Sequence, residues 1–291
     1  MQEIATGVFI ESAYEGVTVA AILTDEGVIC IDIPSYPRDA RDWVSRVSRL
    51  HGRGVRYLIL TDYHGDRIVN TRWLSAPIIA SQATADRLGS YERRYPQQLL
   101  QSLALRNPQL GRELTSGPVD QVALSFAGQI TFHSGRHAIN LMHKPGPNAG
   151  SIWVYWPEAS ILFAGDSVAA GTHPPLNELL LEPWLESLNS LKRNQPETSL
   201  IVPGRGDPCG PEAVSSMLAY LQLISSVAQD HIASGGGKED LAIRIPELID
   251  HIPLHGTAPD WSEREILAGL QRAYDQLEAA SEATSSMPLV E

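Results

Sequence analysis

Cysteine is scarce in this chain of 291 residues, which contains only Cys30 and Cys209. The two thiols are far apart and form no Cys-x-x-Cys pair, so the sequence offers no thiolate metal site of the zinc-finger type. Such sparse cysteine usage is typical of a reducing compartment. The first residues contain no basic segment ahead of an apolar stretch, so no secretory signal is predicted. We expect a cytoplasmic location.

Positively charged residues are also few. The chain has 22 Lys and Arg against 34 Asp and Glu, which gives a net charge of −12. Binding to nucleic acid requires concentrated Lys and Arg, so no nucleic-acid partner is predicted. The apolar runs are shorter than the roughly 20 residues that a membrane-spanning helix needs. The expected partner is therefore a small-molecule substrate or ligand.

The distribution of apolar residues predicts a mixed α/β (α+β) fold. Residues 17–23 and 28–33 are β-branched runs on either side of a turn at Gly27, which predicts a hairpin. A helical pattern begins at about Arg38, and residues 55–60 form a continuous apolar strand. Residues 122–164 then read as successive short strands. Strand–helix units that flank such a run predict two sheets covered by helices.

The pattern becomes helical after Gly210, so we divide the chain into residues 1–210 and a helical extension of residues 211–291. The last helix is predicted to begin at Ser262, with Glu265 completing a capping box. The apolar faces of these helices are expected to pack on the first part of the chain, or to form a homodimer contact.

A cluster of metal-capable side chains follows the strand at residues 55–60. The cluster contains Asp62, His64 and Asp66 at alternate positions. Carboxylate oxygens and imidazole nitrogens both suit divalent cations. Arg67 follows immediately and cannot be a ligand, because a protonated guanidinium has no lone pair to offer.

Five segments, in chain order, resemble the motifs of the metallo-β-lactamase fold. They are Gly27-Val28-Ile29-Cys30-Ile31-Asp32, Thr61-Asp62-Tyr63-His64-Gly65-Asp66-Arg67, Pro145-Gly146-Pro147-Asn148-Ala149-Gly150-Ser151, Phe163-Ala164-Gly165-Asp166 and Val202-Pro203-Gly204-Arg205-Gly206. The resemblance implies an αββα sandwich of two mixed sheets flanked by helices, and a hydrolase-like protein.

The resemblance also implies which residues occupy the positions of the family's two-metal site. These positions hold Asp62, His64, Asp66, Arg67, Pro147, Asp166 and Arg205. His64, Asp66 and Asp166 agree with the family, and Asp62 replaces a histidine with another competent ligand. The remaining three cannot coordinate a cation, so a dinuclear zinc site is not expected.

One hypothesis retains a single metal ion. Asp62, His64 and the bridging Asp166 would hold Zn²⁺, Mn²⁺, Fe²⁺ or Mg²⁺, since two carboxylates make the ligand set harder. Asp66 would act as general base or orient the metal-activated water, and Arg67 or Arg205 would bind an anionic group of the substrate. The reaction would be hydrolysis of a small ester, thioester, amide or phosphoester.

The other hypothesis requires no metal. Arg67 and Arg205 would neutralise Asp62, Asp66 and Asp166, because guanidinium groups pair well with carboxylates. The chain would then be a non-catalytic pseudoenzyme or binding protein. Charge compensation favours this interpretation, although the sequence alone leaves both open.

Three further residues are assigned to the surroundings of the site. Asp32 ends its strand at the same end as the motif loops and is expected to support the residues of the site. Tyr63 is expected to line the pocket, or simply to fill space. His173 follows Asp166 by seven residues and could reach the mouth of the pocket.

Overall fold

The computed structural model describes residues 1–193, 198–252 and 259–285. The N-terminal part of the chain builds a seven-stranded sheet whose spatial order follows the sequence. Its strands are β1 (Gln2–Ala5), β2 (Val8–Glu11), β3 (Val19–Thr24), β4 (Gly27–Ile31), β5 (Val55–Ile59), β6 (Ile78–Ser81) and β7 (Val122–Phe126).

The first four strands of this sheet are antiparallel neighbours. Strands β4 to β7 are parallel to one another. The predicted hairpin corresponds to β3 and β4, which turn at Gly27 with a φ of 130°. The N-terminal hairpin of β1 and β2 was not predicted, because its two strands have only four residues each.

A five-stranded sheet contains the rest of the β-structure among the described residues. Its order is β12-β11-β10-β9-β8. The strands are β8 (Gln129–Ser134), β9 (His137–His143), β10 (Ile152–Trp156), β11 (Ile161–Ala169) and β12 (Leu200–Arg205). β8 to β11 form an antiparallel meander, and β12 is parallel to β11.

The helices lie between and after these strands. They are α1 (Pro37–Val47), α2 (Gly65–Ile68), α3 (Gln82–Ser90), α4 (Gln97–Arg106), α5 (Pro108–Gly111), α6 (Leu181–Arg193), α7 (Glu212–Ala233), α8 (Ile245–His251) and α9 (Pro259–Ser285). Short 3-10 helices occur at Thr71–Trp73, Pro157–Ala159 and Lys238–Arg244. The described helices are not long and apolar enough to cross a membrane.

The two sheets pack face to face. Ile22, Ile29 and Ile59 of the first sheet belong to one buried cluster with Leu141 and Phe163 of the second. Both sheets also bury their outer faces, which explains why several strands read as continuous apolar runs rather than as an alternating pattern.

Helices cover the outer face of each sheet. Trp43 of α1 and Leu88 of α3 pack on the first sheet. Trp184 of α6 and Leu221 of α7 pack on the second, together with Leu270 of α9. The layers therefore run helix, sheet, sheet, helix, and the predicted αββα sandwich is confirmed.

The helical extension joins the core of the second outer layer rather than standing apart. Its last helix already includes Pro259, so the prediction that it begins at Ser262 with a capping box was wrong. Glu265 does not cap its own helix. It accepts hydrogen bonds from the backbone N–H groups of Leu176 and Asn177 at 3.0 and 3.2 Å.

Gly165 of β11 is required where the two sheets meet. Its φ is +54°, and an added Cβ would lie 2.7 Å from Oγ1 and 2.8 Å from Cβ of Thr61. Left-handed strain and this overlap together predict that Gly165→Ala lowers the free energy of unfolding by about 2–4 kcal/mol in urea denaturation.

Gly171→Ala is the matched control. Its φ is +67°, but an added Cβ would meet nothing within 4 Å. This variant should lose only the left-handed cost of about 1 kcal/mol. Equal losses in the two variants would contradict the importance of the contact between Gly165 and Thr61.

Candidate functional site

The motif residues meet at one end of the two sheets. Asp32 follows β4, and His64 directly precedes the one-turn helix α2 after β5. Asp166 lies in β11 and Arg205 ends β12. Because β4 and β5 are parallel to each other, as are β11 and β12, their carboxyl ends lie at the same edge of each sheet. The fold thereby brings together side chains from four separate segments.

Asp32 anchors the base of the site. Its Oδ1 accepts a hydrogen bond from the backbone N–H of Thr61 at 2.8 Å, and its Oδ2 accepts one from the Thr61 hydroxyl at 2.6 Å. The backbone of Asp32 is left-handed, with a φ of 57°, which is uncommon for a residue other than glycine. Burial raises the pKa of Asp32 to about 6, although Arg67 acts in the opposite direction.

Arg67 lies at the centre of the site and is fully buried. Its Nη1 donates to Asp32 Oδ2 at 2.5 Å, and its Nη2 donates to Asp166 Oδ1. Its Nε lies 3.4 Å from Asp62 Oδ1. Burial lowers the pKa of Arg67, but Asp166 and Asp32 outweigh burial and hold it well above its ordinary value.

Arg205 reaches the same carboxylates from the second sheet. Its Nη2 donates to Asp66 Oδ2 at 2.6 Å and to Asp166 Oδ2 at 3.2 Å, while its Nε lies 3.1 Å from Asp166 Oδ1. Its Nη1 donates to the carbonyl of Gly16. A third guanidinium, Arg106 of α4, donates from Nη1 to Asp66 Oδ2 at 3.0 Å. Sequence reasoning missed Arg106, because it lies on an amphipathic helix outside every motif.

His64 points its Nδ1 between two carboxylates. Nδ1 lies 3.2 Å from Asp62 Oδ2 and 3.1 Å from Asp166 Oδ2. Carboxylates only accept hydrogen bonds when ionised, so Nδ1 carries a proton. Burial lowers the pKa of His64, but Asp62 and Asp166 outweigh burial and raise it well above the ordinary value. Asn148, another residue that the sequence did not single out, places its Nδ2 at 3.3 Å from the same nitrogen, a contact between two donors that is not a hydrogen bond while Nδ1 carries a proton.

A metal ion in this site would depend on Asp62, His64 and Asp166. One potential ligand atom from each lies within 4.8 Å of the others. Both oxygens of Asp166, however, are already contacted by guanidinium nitrogens. Arg67 and Arg205 stand at positions where the family resemblance implies ligands, and a guanidinium cannot coordinate a cation, so the residues do not fit a two-metal centre. A single ion would have to displace guanidinium contacts from Asp166.

A cavity of about 420 Å³ opens beside this network. His64, Asp66 and Arg205 contribute to its floor, and Tyr63 lines one wall. Burial raises the pKa of Tyr63. Asp32 and Arg67 are not among the residues that line this cavity. Tyr63 is therefore placed to contact a ligand, whereas Arg67 is too deeply buried to touch one there.

The helical extension supplies another wall of this cavity. Trp261 and Glu265, both from α9, are lining residues. The guanidinium of Arg106 lies 4.4 Å from the centre of the Trp261 ring, which is a cation–π contact. No sequence motif pointed to either residue. The sequence pattern assigned Glu265 to a capping box and therefore did not indicate it as a residue of the cavity.

His173 is not brought to the cavity. Its Nδ1 lies 2.6 Å from the Tyr220 hydroxyl, and its Nε2 lies 2.7 Å from the carbonyl of Ile252. Since a carbonyl only accepts, Nε2 carries the proton and Nδ1 accepts from Tyr220. The buried imidazole therefore connects the segment after β11 to the helical extension.

These observations agree with comparisons to known proteins. A family model described as "Metallo-beta-lactamase superfamily" matches residues 22–205, which is more than half of the chain. The chain therefore belongs to the metallo-beta-lactamase superfamily, a fold class that typically binds metal ions.

Solved structures share the same architecture. A metallo-beta-lactamase from Pontibacter korlensis is 21% identical, covers 76% of this chain and 97% of its own, and superposes with a TM-score of 0.59. A metallo-beta-lactamase family protein from Thermus thermophilus is 16% identical, covers 94% of this chain and 95% of its own, and gives a TM-score of 0.67. At these identities the likeness establishes the fold alone.

The buried His173 should make folding stability depend on acid pH. Burial lowers its pKa from the ordinary value of 6.5, and His251 acts in the same direction. Below pH 6.5 the unfolded chain therefore binds a proton more readily than the folded one, so this contribution to stability is lost as pH falls. We expect His173→Gln to show a smaller loss of unfolding free energy between about pH 6.5 and 5 than the wild type.

Glutamine can retain both hydrogen bonds of His173 without titrating, which makes it the conservative change. His133→Gln is the control, because His133 is exposed on β8. Urea titrations at each pH measure the difference. Parallel pH profiles for wild type and His173→Gln would contradict the role assigned to His173.

Asp166 should be the most costly carboxylate to neutralise. Asp166→Asn would remove the carboxylate that Arg67 and Arg205 share. Arg67 would keep Asp32 and Arg205 would keep Asp66, but the buried site would carry an excess of positive charge, which is strongly destabilising. We expect a loss of about 3–5 kcal/mol in the free energy of unfolding. Chemical denaturation measures it, with Asp207→Asn as control because the hydrogen bond between Asp207 and Ser12 is exposed. A loss as small as that of the control would contradict the network.

Proposed function

We propose that this chain is a metal-independent binding protein of the metallo-beta-lactamase superfamily, a pseudoenzyme in the sense that arginines replace its metal centre. The cavity beside the network would accept a small-molecule ligand. One observation supports this above all others. Arg67 and Arg205, which stand where the family resemblance places histidine ligands, both contact the bridging carboxylate Asp166.

The charges support a network that needs no additional cation. Asp32, Asp62, Asp66 and Asp166 face the guanidiniums of Arg67, Arg106 and Arg205 within the same buried cluster. A divalent ion would add two positive charges to carboxylates whose charge is largely balanced already. Desolvation makes such an excess of buried charge costly.

The state of Asp66 also argues against general-base catalysis. Burial raises its pKa, but Arg205 and Arg67 outweigh burial and keep it below the ordinary value. A base with a low pKa accepts protons weakly near neutral pH. Asp66 is better suited to hold Arg205 and Arg106 than to activate water.

A second candidate function is mononuclear hydrolysis of a small ester, thioester, amide or phosphoester. The observation in its favour is the proximity of Asp62, His64 and Asp166, whose ligand atoms lie within 4.8 Å of one another. These residues would hold Zn²⁺, Mn²⁺, Fe²⁺ or Mg²⁺, and the ion would supply Lewis-acid chemistry.

Metal content distinguishes the two functions. We expect protein prepared without chelator or affinity-tag metal to contain far less than one metal ion per chain by elemental mass spectrometry. The content should stay low after incubation with Mn²⁺, Fe²⁺ or Zn²⁺ and desalting, because the guanidiniums compete for the carboxylates. Chelator should leave the melting temperature unchanged, since no bound ion contributes to stability.

His64→Ala is the matched variant for this measurement. If the wild type contained about one ion per chain and His64→Ala lost it, the metal-independent function would be refuted and the mononuclear hydrolase supported. Cytoplasmic location and homodimer formation stay predictions of the sequence.

A further inference from the structure

We propose that the 420 Å³ cavity binds a small molecule with a primary amine, whose ammonium group lies between Asp66 and Glu265 and whose apolar body fills the outer part of the cavity. This inference rests on the proposed function, because it requires a cavity floor without a metal ion. It reverses the expectation that the arginines bind an anionic group of the ligand.

Asp66 offers an unused acceptor at the floor of the cavity. The side chain is only 5% exposed. Its Oδ2 accepts from Arg205 and Arg106, whereas its Oδ1 is buried and has no hydrogen-bond partner among the described residues. Buried acceptors normally have a partner, so an orphaned carboxylate oxygen beside a cavity indicates a donor on the ligand.

Glu265 of α9 provides a second carboxylate among the lining residues. It is 8% exposed, and its described hydrogen bonds come from the backbone N–H groups of Leu176 and Asn177. No Lys, Arg or His of the described residues forms an ion pair with Glu265 within 4.0 Å. Because buried charges in proteins are normally paired, this carboxylate is suited to a cationic ligand.

The cations around the cavity are already engaged. Arg205 gives its Nη atoms to Asp66, Asp166 and the carbonyl of Gly16. Arg87, another lining residue, forms an ion pair with Glu178. An anionic ligand at Arg205 or Arg87 would have to displace one of these carboxylates, whereas an ammonium beside Asp66 and Glu265 would use acceptors that are still free.

His64 is compatible with the same ligand. Its Nε2 is buried without a hydrogen-bond partner among the described residues and belongs to the cavity floor. The imidazole is paired with Asp62 and Asp166 and both of its nitrogens carry protons, so Nε2 would donate to an oxygen of the ligand beside the amine, not accept from the ammonium.

The outer part of the cavity determines the body of the ligand. Its lining includes the apolar or aromatic side chains of Tyr63, Leu99, Leu103, Pro175 and Trp261. The volume lies within the range of about 300–1,000 Å³ that is typical of small-molecule sites. A ligand with one charged end and one aromatic or aliphatic end fits both parts.

The test uses three probes with the same phenyl body: phenethylamine, phenethyl alcohol and hydrocinnamate. They present an ammonium, a hydroxyl and a carboxylate, respectively. Isothermal titration calorimetry at neutral pH on the full chain should show binding of phenethylamine. The alcohol and the carboxylate should bind at least about tenfold more weakly, since only the amine forms an ion pair.

Glu265→Gln is the decisive variant, because an amide oxygen can still accept from Leu176 and Asn177 while the charge is lost. We expect at least about a tenfold weaker affinity for phenethylamine and an unchanged affinity for phenethyl alcohol. Glu263→Gln is the matched control, since Glu263 is exposed on the same helix. Asp66→Asn is not used, because Asp66 also holds two arginines.

The proposal is overturned if the alcohol or the carboxylate binds as tightly as the amine, or if Glu265→Gln binds phenethylamine like the wild type. It is also overturned if no probe binds at concentrations up to about 10 mM, above the millimolar Kd of a weak ligand. Metal content of the same preparation tests the proposed function separately. A metal-free protein that binds no amine would refute only this inference.

Discussion

The pairing of Asp166 with Arg67 and Arg205 is the interaction on which the site depends. Asp166 and Arg205 belong to the second sheet, whereas Arg67 follows the fifth strand of the first. Their contacts therefore join the two sheets at the edge where the motif loops meet. Breaking such a pair leaves a desolvated charge, so each member holds the others in place. The same contacts leave Asp166 with few free lone pairs for a metal ion.

Both the sandwich and the helical extension contribute residues to the lining of the cavity next to this network. The sandwich supplies Asp66 and Arg205, and the last helix supplies Trp261 and Glu265. This arrangement separates two tasks. The guanidiniums balance the carboxylates at the base, and the carboxylates that face the cavity retain acceptor capacity. The kind of ligand that we propose for the cavity therefore follows from the carboxylate oxygens of Asp66 and Glu265 that do not pair with a guanidinium.

Most of the sandwich could be predicted from local patterns, because buried strands carry apolar β-branched runs that are visible without a structure. The predicted run of short strands begins at residue 122, where the strand Val122–Phe126 begins in the structure. The strand Ile161–Ala169 extends five residues beyond its predicted end at Ala164, since Gly165 and Asp166 interrupt the apolar run without ending the strand. The mistaken start of the last helix has a similar cause, because Ser262 and Glu265 match a local capping pattern that tertiary contacts override.

The sequence by itself determined the superfamily and the loss of the two-metal ligand set. The superfamily follows from five motif segments in chain order, and the loss of the ligand set follows from the residue types at Arg67, Pro147 and Arg205. Only the tertiary structure decided that Arg67 is sealed beneath the site, that Arg106 joins the network, and that Glu265 faces the cavity. These facts depend on contacts between segments that are far apart in sequence. Hydrophobic periodicity and motif spacing are local patterns, so they do not predict which charged side chains will pair.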